Sequence, residues 1–226
     1  PSFSGPQQLR VAVWSDDPFC AVEADIRNHI ERAADCLAQL GATVSCDARP
    51  DFLPQDNHHN YTKLLLSILG ADMPEEVRQL AREQVAAAAP DDMSEPLLQL
   101  RGIAMDHREW LAENEKRQRT RQLWDRFFED YDVLLCPAVH VAAFPHDHEP
   151  DLQQRTLLVN GEQRPYTELT RWAGLTLNAY LPATAVPLGT NGEGMPIGMQ
   201  IAGPYWGDRT TLAVARILEE DFYSFQ

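Results

Sequence analysis

An α/β fold is predicted for this chain by three features. A strand–helix–strand run occupies Leu9 to Cys46, a short wholly apolar run stands at Asp132–Cys136, and a glycine-rich hairpin at Leu181–Gly203 feeds a final helix. The first is the signature of a βαβ unit, which gives two parallel strands with a right-handed crossover. The second has the form of a strand buried on both faces.

Taken in order, residues 1–8 form a Pro/Gly/Ser-rich lead-in expected to be extended, and Leu9–Trp14 (LRVAVW) is a strand. From Val22 the apolar residues Val22, Ile26, Ile30, Ala33, Leu37 and Leu40 recur at spacings of four and three, one face of a helix. Gly41 stands where a C-terminal capping glycine belongs, and Ala42–Cys46 is the second strand. Pro50–Asn60 is polar enough to be expected as a loop, with a packed helix over Tyr61–Leu69. Asp72–Glu76 (DMPEE) carries the acidic cap, early proline and negative first turn of a helix start. A further helix begins near Ser94-Glu95-Pro96 and is expected to run to about Asp130, apolar at both ends and charged from Glu113 to Arg121. Such a helix is solvated in its middle or breaks there.

Asn160-Gly161 centres a hairpin over Leu157–Tyr166, and Trp172–Leu177 is a short helix. Strands at Thr184–Leu188 and Pro196–Ala202 are joined through Asn191-Gly192 and Glu193-Gly194, pairs that tolerate positive φ. Asp208 starts a helix with Leu212, Ala215 and Leu218 on its inner stripe, widened by Val214 and Ile217. No repeat, linker or domain boundary is visible, so residues 1–226 are expected to form one domain.

Composition limits the function classes. With 226 residues, 44% hydrophobic and 23% charged, the chain is large enough for a sizeable core. A formal net charge of −15 argues against nucleic acid or an anionic membrane as the main partner. No apolar run approaches the roughly 20 residues of a spanning helix, and the N-terminus lacks a signal pattern. Cys20, Cys36, Cys46 and Cys136 show no CxxC spacing, so free thiols in a reducing cytoplasm are expected. The first residue is Pro1, so a processed, truncated or partial chain is expected.

Three groupings bear on chemistry. His140, His146 and His148, with Asp147, Glu149 and Asp151, offer imidazoles and carboxylates to a divalent ion, or form an ordinary solvated acidic loop. Lys116-Arg117-Gln118-Arg119-Thr120-Arg121 is a basic run, more simply a solvated helix face paired with acidic neighbours than a nucleic-acid patch. Cys136 at a strand end, with His140, is a conceivable nucleophile pair set against a simply buried thiol. None of the serines sits in a glycine-flanked elbow, and the only lysines are Lys63 and Lys116.

The closing stretch has a further property. Asn178, Pro182-Ala183, Val186-Pro187-Leu188-Gly189 and Gly194-Met195-Pro196-Ile197-Gly198-Met199-Gln200-Ile201 together resemble the C-terminal end of the amidase-signature family. LRVAVW, the following helix and Leu40-Gly41-Ala42-Thr43-Val44 are similar to the segment after that family's catalytic half. Phe127–Pro137 (FFEDYDVLLCP) followed by Ala143-Phe144-Pro145-His146 matches another of its stretches, and Glu219 falls where a glutamate is common.

The resemblance implies a mixed, largely parallel sheet flanked by helices, and hydrolysis of a carboxylic amide without a cofactor. The family works through a Ser–cis-Ser–Lys triad with backbone N–H groups stabilising the oxyanion. That loop lies upstream of the region matched here, and this chain has no Ser-Ser pair and no Gly-Gly-Ser. No catalytic or metal residue is therefore carried over. The chain is expected to be the C-terminal half of an amidase, inactive alone, whose partners are a small-molecule amide and an N-terminal catalytic half, with self-association when that half is missing. Pro137 and Ala138, at the end of the buried strand, and Trp172 and Asn178, just before the hairpin, are the residues expected to face substrate; the competing reading makes Trp172 core and Asn178 a turn cap. Two alternatives are a non-catalytic binding or structural module derived from the same fold, and a metal-dependent hydrolase using the His140–Asp151 loop.

Overall fold

The computed structural model describes residues 3–225, with side chains described as far as residue 222. The first two residues of the expected lead-in lie outside the described residues. The rest of it is not extended throughout, because Pro6–Gln8 closes a 3-10 turn. Strand β1 (Arg10–Val13), helix α1 (Ala24–Gln39) and strand β2 (Thr43–Ser45) form the predicted βαβ unit, with Val11 beside Val44 in a parallel ladder. Ile26, Ile30, Ala33 and Leu37 of α1 are buried, as their spacing requires. Gly41 takes φ +99°, a conformation that L side chains rarely adopt, and so lets the chain leave the helix for β2.

Helix α2 spans Pro54–Leu69 and takes in residues expected as a loop. Its buried residues include Asn57, His58, Asn60 and Thr62, so the face that packs inward is polar and gives no apolar periodicity. Helix α3 (Glu75–Ala87) begins after Pro74 with no side-chain cap, and Asp72 lies outside it. The single long helix expected from Ser94 is two, α4 (Glu95–Ala104) and α5 (His107–Asp130). The break falls before the charged stretch. Asp106 and Glu109 form a reciprocal capping box there: the Glu109 N–H donates to Asp106 Oδ1 at 2.7 Å and the Asp106 N–H to Glu109 Oε2 at 3.0 Å.

Strand β3 (Val133–Pro137) is buried at every position. Strands β4 (Thr156–Val159) and β5 (Glu162–Pro165) make the separate hairpin centred on Asn160 and Gly161, both at positive φ. A 3-10 turn, Tyr166–Leu169, leads into helix α6 (Thr170–Leu177). Strands β6 (Ala183–Thr190) and β7 (Pro196–Ala202) and helix α7 (Asp208–Phe225) complete the chain.

The five-stranded sheet runs β2-β1-β3-β7-β6. It is mixed: β1 pairs in parallel with β2 and β3, and the β6–β7 hairpin joins β3 antiparallel. Helices flank it. Trp124, Phe127 and Phe128 of α5, Trp172 and Leu175 of α6, and Val214 and Leu218 of α7 all enter the main core with the strands. The inner stripe of α7 departs from expectation. Thr211, Val214, Leu218 and Phe222 are buried, and Leu212 is exposed. Thr211 can occupy a core position because its hydroxyl accepts from Thr184 Oγ1 at 2.8 Å and donates to the Asp208 carbonyl at 2.9 Å.

Candidate functional site

Because β1 and β3 are parallel, the loops that follow them leave the sheet at the same end. The β6–β7 turn emerges there too, since Thr190 pairs with Pro196, and Pro137 with Met199. In α/β sheets, binding sites form outside the carboxyl ends of the strands.

The start of α1 ties these loops together. The Glu23 N–H donates to the His140 carbonyl at 2.9 Å, and Glu23 Oε2 accepts from the Ala142 N–H at 2.8 Å. The Ala24 N–H, one of the helix donors with no partner inside the helix, donates to Asn160 Oδ1 at 3.0 Å, while Asn160 Nδ2 donates to the Val22 carbonyl at 2.9 Å. Asp25 Oδ2 accepts from the Gly192 N–H at 3.0 Å. Positive φ at Asn160 and Gly161 turns the hairpin tip towards these partners.

Between these elements lies an open groove of about 800 Å³. Val141, Phe144 and Leu157 give it an apolar floor, and Glu23, Asp25, Asp147 and Glu193 an acidic border. Its lining contains His146 and His148 but no serine, lysine or arginine. Its volume is of the size of a small-molecule cleft. Among the described residues of its lining the one side-chain hydroxyl is that of Thr156.

Neither lysine of the chain is in the lining of this groove. Lys63 and Lys116 each donate to Glu113 Oε1, on α2 and α5. Asn60 Nδ2 donates to Glu113 Oε2 at 2.8 Å. Burial works to raise the Glu113 carboxyl, and the bonds from Lys116, Lys63 and Asn60 outweigh it, so its pKa lies below the usual carboxylate range.

The four residues expected to face substrate lie at two places. Pro137 is buried at the end of β3 and Ala138 is half-buried beside it. Trp172 is buried, its Nε1–H donating to the Cys20 carbonyl at 3.1 Å and its ring meeting Trp14 edge-on. Gln200 of β7 joins these two: its Nε2 donates to the carbonyls of Pro137 at 2.9 Å and Trp172 at 3.1 Å, and its Oε1 accepts from Thr176 at 3.2 Å. Asn178 points the other way, donating from Nδ2 to Asn57 and Asn60 at 2.9 and 3.0 Å. Trp172 also borders a small recess formed with Trp14, Phe19, Cys20 and Arg171.

For Cys136 and for the His140–Asp151 loop the structure agrees with the plainer of the two readings of each, and for the basic run it corrects the expectation in part. Cys136 is wholly buried, and burial pushes its thiol up to about 12, so it holds no thiolate for attack. His140 is buried while His146 and His148 are exposed, so the loop does not gather its three imidazoles around one point. Among the described residues, the one trio of potential ligands within reach of each other is Cys20, His140 and Glu168. Two of these lie outside the His140–Asp151 loop in sequence. The basic run is only partly a set of ion pairs with acidic neighbours. Arg117 and Arg121 stack over the Tyr180 ring at 4.7 and 5.2 Å, and Arg121 over Tyr205 at 4.7 Å. Neither Gln200 nor the residues around the start of α1 stand out in the sequence as site residues. The one available signal was the place of Gln200 inside the C-terminal motif.

A mixed α/β sheet with a ligand-sized groove at the loop end of its parallel strands is the class of protein these features define. Residues 2–212 match the family model described as Amidase, and the chain belongs to that family. Among curated proteins it is similar to a fatty acid amide hydrolase of Arabidopsis thaliana, 32% identical over 116 residues, covering 50% of this chain and 18% of that protein. It is also similar to a glutamyl-tRNA(Gln) amidotransferase subunit of Synechococcus sp., 37% identical over 105 residues, covering 46% and 19%. Among solved structures, a bacterial aryl acylamidase of the amidase signature family superposes with a TM-score of 0.67 at 21% identity, covering 95% of this chain and 44% of that one. A 6-aminohexanoate cyclic dimer hydrolase gives 0.64 at 22%, covering 96% and 46%. The chain thus spans less than half of the solved structures it matches. At these identities the superpositions speak for the fold.

Proposed function

We propose that this chain is the C-terminal portion of an amidase domain that hydrolyses a carboxylic amide C–N bond, and that it supplies scaffold and one wall of the substrate pocket. The family match across residues 2–212 carries this reading. The groove at the loop end of the sheet is consistent with it, since its lining pairs apolar side chains with polar ones that could orient an amide. The nucleophile, base and oxyanion donors come from an N-terminal catalytic half, and the substrate is a small-molecule amide. None of Pro137, Ala138, Trp172 and Asn178 lines the groove itself, so in this reading they act on the wall indirectly. Pro137, Trp172 and Asn178 shape it from behind, through Gln200 and the asparagines of α2. A cytoplasmic location is proposed with it, on the strength of four free cysteines, and no helix among the described residues is long and apolar enough to cross a membrane.

Exposed apolar side chains support a covering partner. Tyr205 and Trp206 follow β7, Trp206 is 81% exposed, and Leu177, Tyr180 and Leu212 are exposed as well. We propose that the catalytic half covers them, and that the separated chain self-associates through them.

The test is amine release from a panel of alkyl, aryl and peptide-like amides, using the intact protein that carries this chain and the 226-residue chain by itself. Hydrolysis by the intact protein alone is expected. An intact protein inactive on every amide overturns the reading; activity of the 226-residue chain overturns the placement of the nucleophile elsewhere.

A further inference from the structure

His140 is 0% exposed, and neither of its ring nitrogens has a hydrogen-bond partner. Buried polar groups are almost always satisfied, and each exception calls for an explanation. Its surroundings provide one. Cys20 Sγ, a ring nitrogen of His140 and a carboxylate oxygen of Glu168 all lie within 4.8 Å of one another, and all three residues are buried. They come from three separate segments: the loop after β1, the loop after β3, and the 3-10 turn before α6.

We propose that Cys20, His140 and Glu168 form a binding site for a thiophilic divalent ion of the zinc class. A sulfur, an imidazole and a carboxylate are all zinc donors, and a fourth position remains for water. Bonds of about 2.3 Å to sulfur and about 2.0–2.2 Å to nitrogen and oxygen set donor separations of roughly 3.3–3.6 Å, so no pair of donors, all within 4.8 Å of one another, need close by more than about 1.5 Å around the ion. Burial holds the free Cys20 thiol up at about 12, as it does Cys136, so the sulfur ligates by giving its proton to solvent as the sulfur–metal bond forms, with no electron transferred.

The supports of the trio are already in place. The Cys20 carbonyl accepts from Trp172 Nε1, and the His140 carbonyl from the Glu23 N–H. Arg164 donates to both carboxylate oxygens of Glu168, at 2.9 and 3.0 Å, and Arg171 lies 3.2 Å from Oε1. Oε1 faces both guanidiniums, while Oε2, bonded to Arg164 Nε, keeps a lone pair for a metal. Two guanidiniums beside a single carboxylate disfavour hard ions such as calcium, which need several oxygen ligands, and leave selection to the sulfur and the imidazole. His140 directly precedes Val141 and Ala142 of the groove lining, so the ion would pin the groove-side loop to the loop after β1 and to the start of α6.

The test is cobalt(II) titration of the intact, metal-stripped protein, followed by thiolate-to-cobalt charge-transfer absorption and by the d–d bands of a tetrahedral ion. Zinc is then added in competition. Both signals are expected in the wild type, with displacement by zinc. Cys20→Ser should remove the charge-transfer band, Glu168→Gln should weaken cobalt affinity at least tenfold, and Cys46→Ser, at an exposed thiol elsewhere, should leave both unchanged. Circular dichroism confirms that each variant is folded. A folded wild type without the band overturns the proposal, as does a band that survives in Cys20→Ser. Cobalt bound without a thiolate signal places the ion elsewhere and also overturns it. These signals do not depend on amide hydrolysis, so their failure is distinct from failure of the proposed function.

Discussion

The side-chain amide of Gln200 donates to the backbone carbonyl of Pro137 at 2.9 Å, fixing the last residue of β3 to the strand beside it. The same nitrogen reaches the Trp172 carbonyl, so one buried side chain sets the spacing between the end of the sheet and α6. Gln200→Ala leaves two carbonyls and the Thr176 hydroxyl without this partner. A loss of about 2–4 kcal/mol is expected in urea unfolding, since each buried polar group left unsatisfied costs about 1–3 kcal/mol. Gln200→Leu, nearly isosteric but apolar, should lose a similar amount. Full stability in Gln200→Leu would show that packing alone sets this contact.

Asn160 acts as a cap for α1 from a distant hairpin, through its bonds to the Ala24 N–H and the Val22 carbonyl. Asn160→Ala removes both and also places alanine at φ 50°. The expected cost is about 1–2 kcal/mol, typical of a lost cap. Asn160→Gly, which tolerates the backbone but lacks the side chain, separates the two contributions. Hydrogen exchange at Ala24 should quicken in both variants.

Gly198 stands in the β6–β7 ladder, where an added Cβ would lie 2.8 Å from the Val186 carbonyl oxygen. That oxygen belongs to the backbone and cannot swing aside. Gly198→Ala should therefore destabilise the protein by about 1–3 kcal/mol, the usual cost of overpacking. Gly161→Ala meets nothing within 4 Å, and its penalty should come from its positive φ alone.

Stability at low pH should depend on Glu113. Its folded pKa lies below its unfolded one, near 4.3, so its contribution is fully present above that value and is lost as pH falls through the folded pKa. Glu113→Gln should flatten this acid limb in denaturant titrations carried from about pH 5 downwards, the range in which the unfolded and then the folded carboxyl take up a proton. At neutral pH it should also cost stability, because Lys63, with its side chain only 14% exposed, loses its counter-charge. An unchanged acid limb would place the acid sensitivity in other carboxylates.

Thiol chemistry gives a further check. Cys46 is exposed and Cys136 wholly buried with its thiol pushed up to about 12. Iodoacetamide at neutral pH should label Cys46 in the native protein and reach Cys136 only after unfolding. Rapid native labelling of Cys136 would contradict its burial.

Much of the fold was legible as periodicity. Ile26, Ile30, Ala33 and Leu37 mark a helix that must bury one face, and the unbroken run ending at Cys136 marks a strand buried on two. Where the inward face is polar the pattern is silent. Asn57, His58, Asn60 and Thr62 of α2 are buried, with Asn57 and Asn60 bonded to partners remote in sequence, and Thr211 of α7 is buried by a hydroxyl pair where Leu212 was expected. The break at Asp106 was written in its capping box with Glu109, a local signal masked by the helical composition on either side.

The sequence by itself determined the βαβ unit, the two hairpins and the family resemblance, because each rests on neighbours along the chain or on a short motif. Only the tertiary structure decided which residues meet at the loop end of the sheet. Glu23, Asn160 and Gly192 converge there, both lysines are drawn away to Glu113, and His140 parts from His146 to sit with Cys20 and Glu168. The reason is physical: strand order and direction fix which loops share an end of the sheet, and that order is set by packing between segments more than a hundred residues apart.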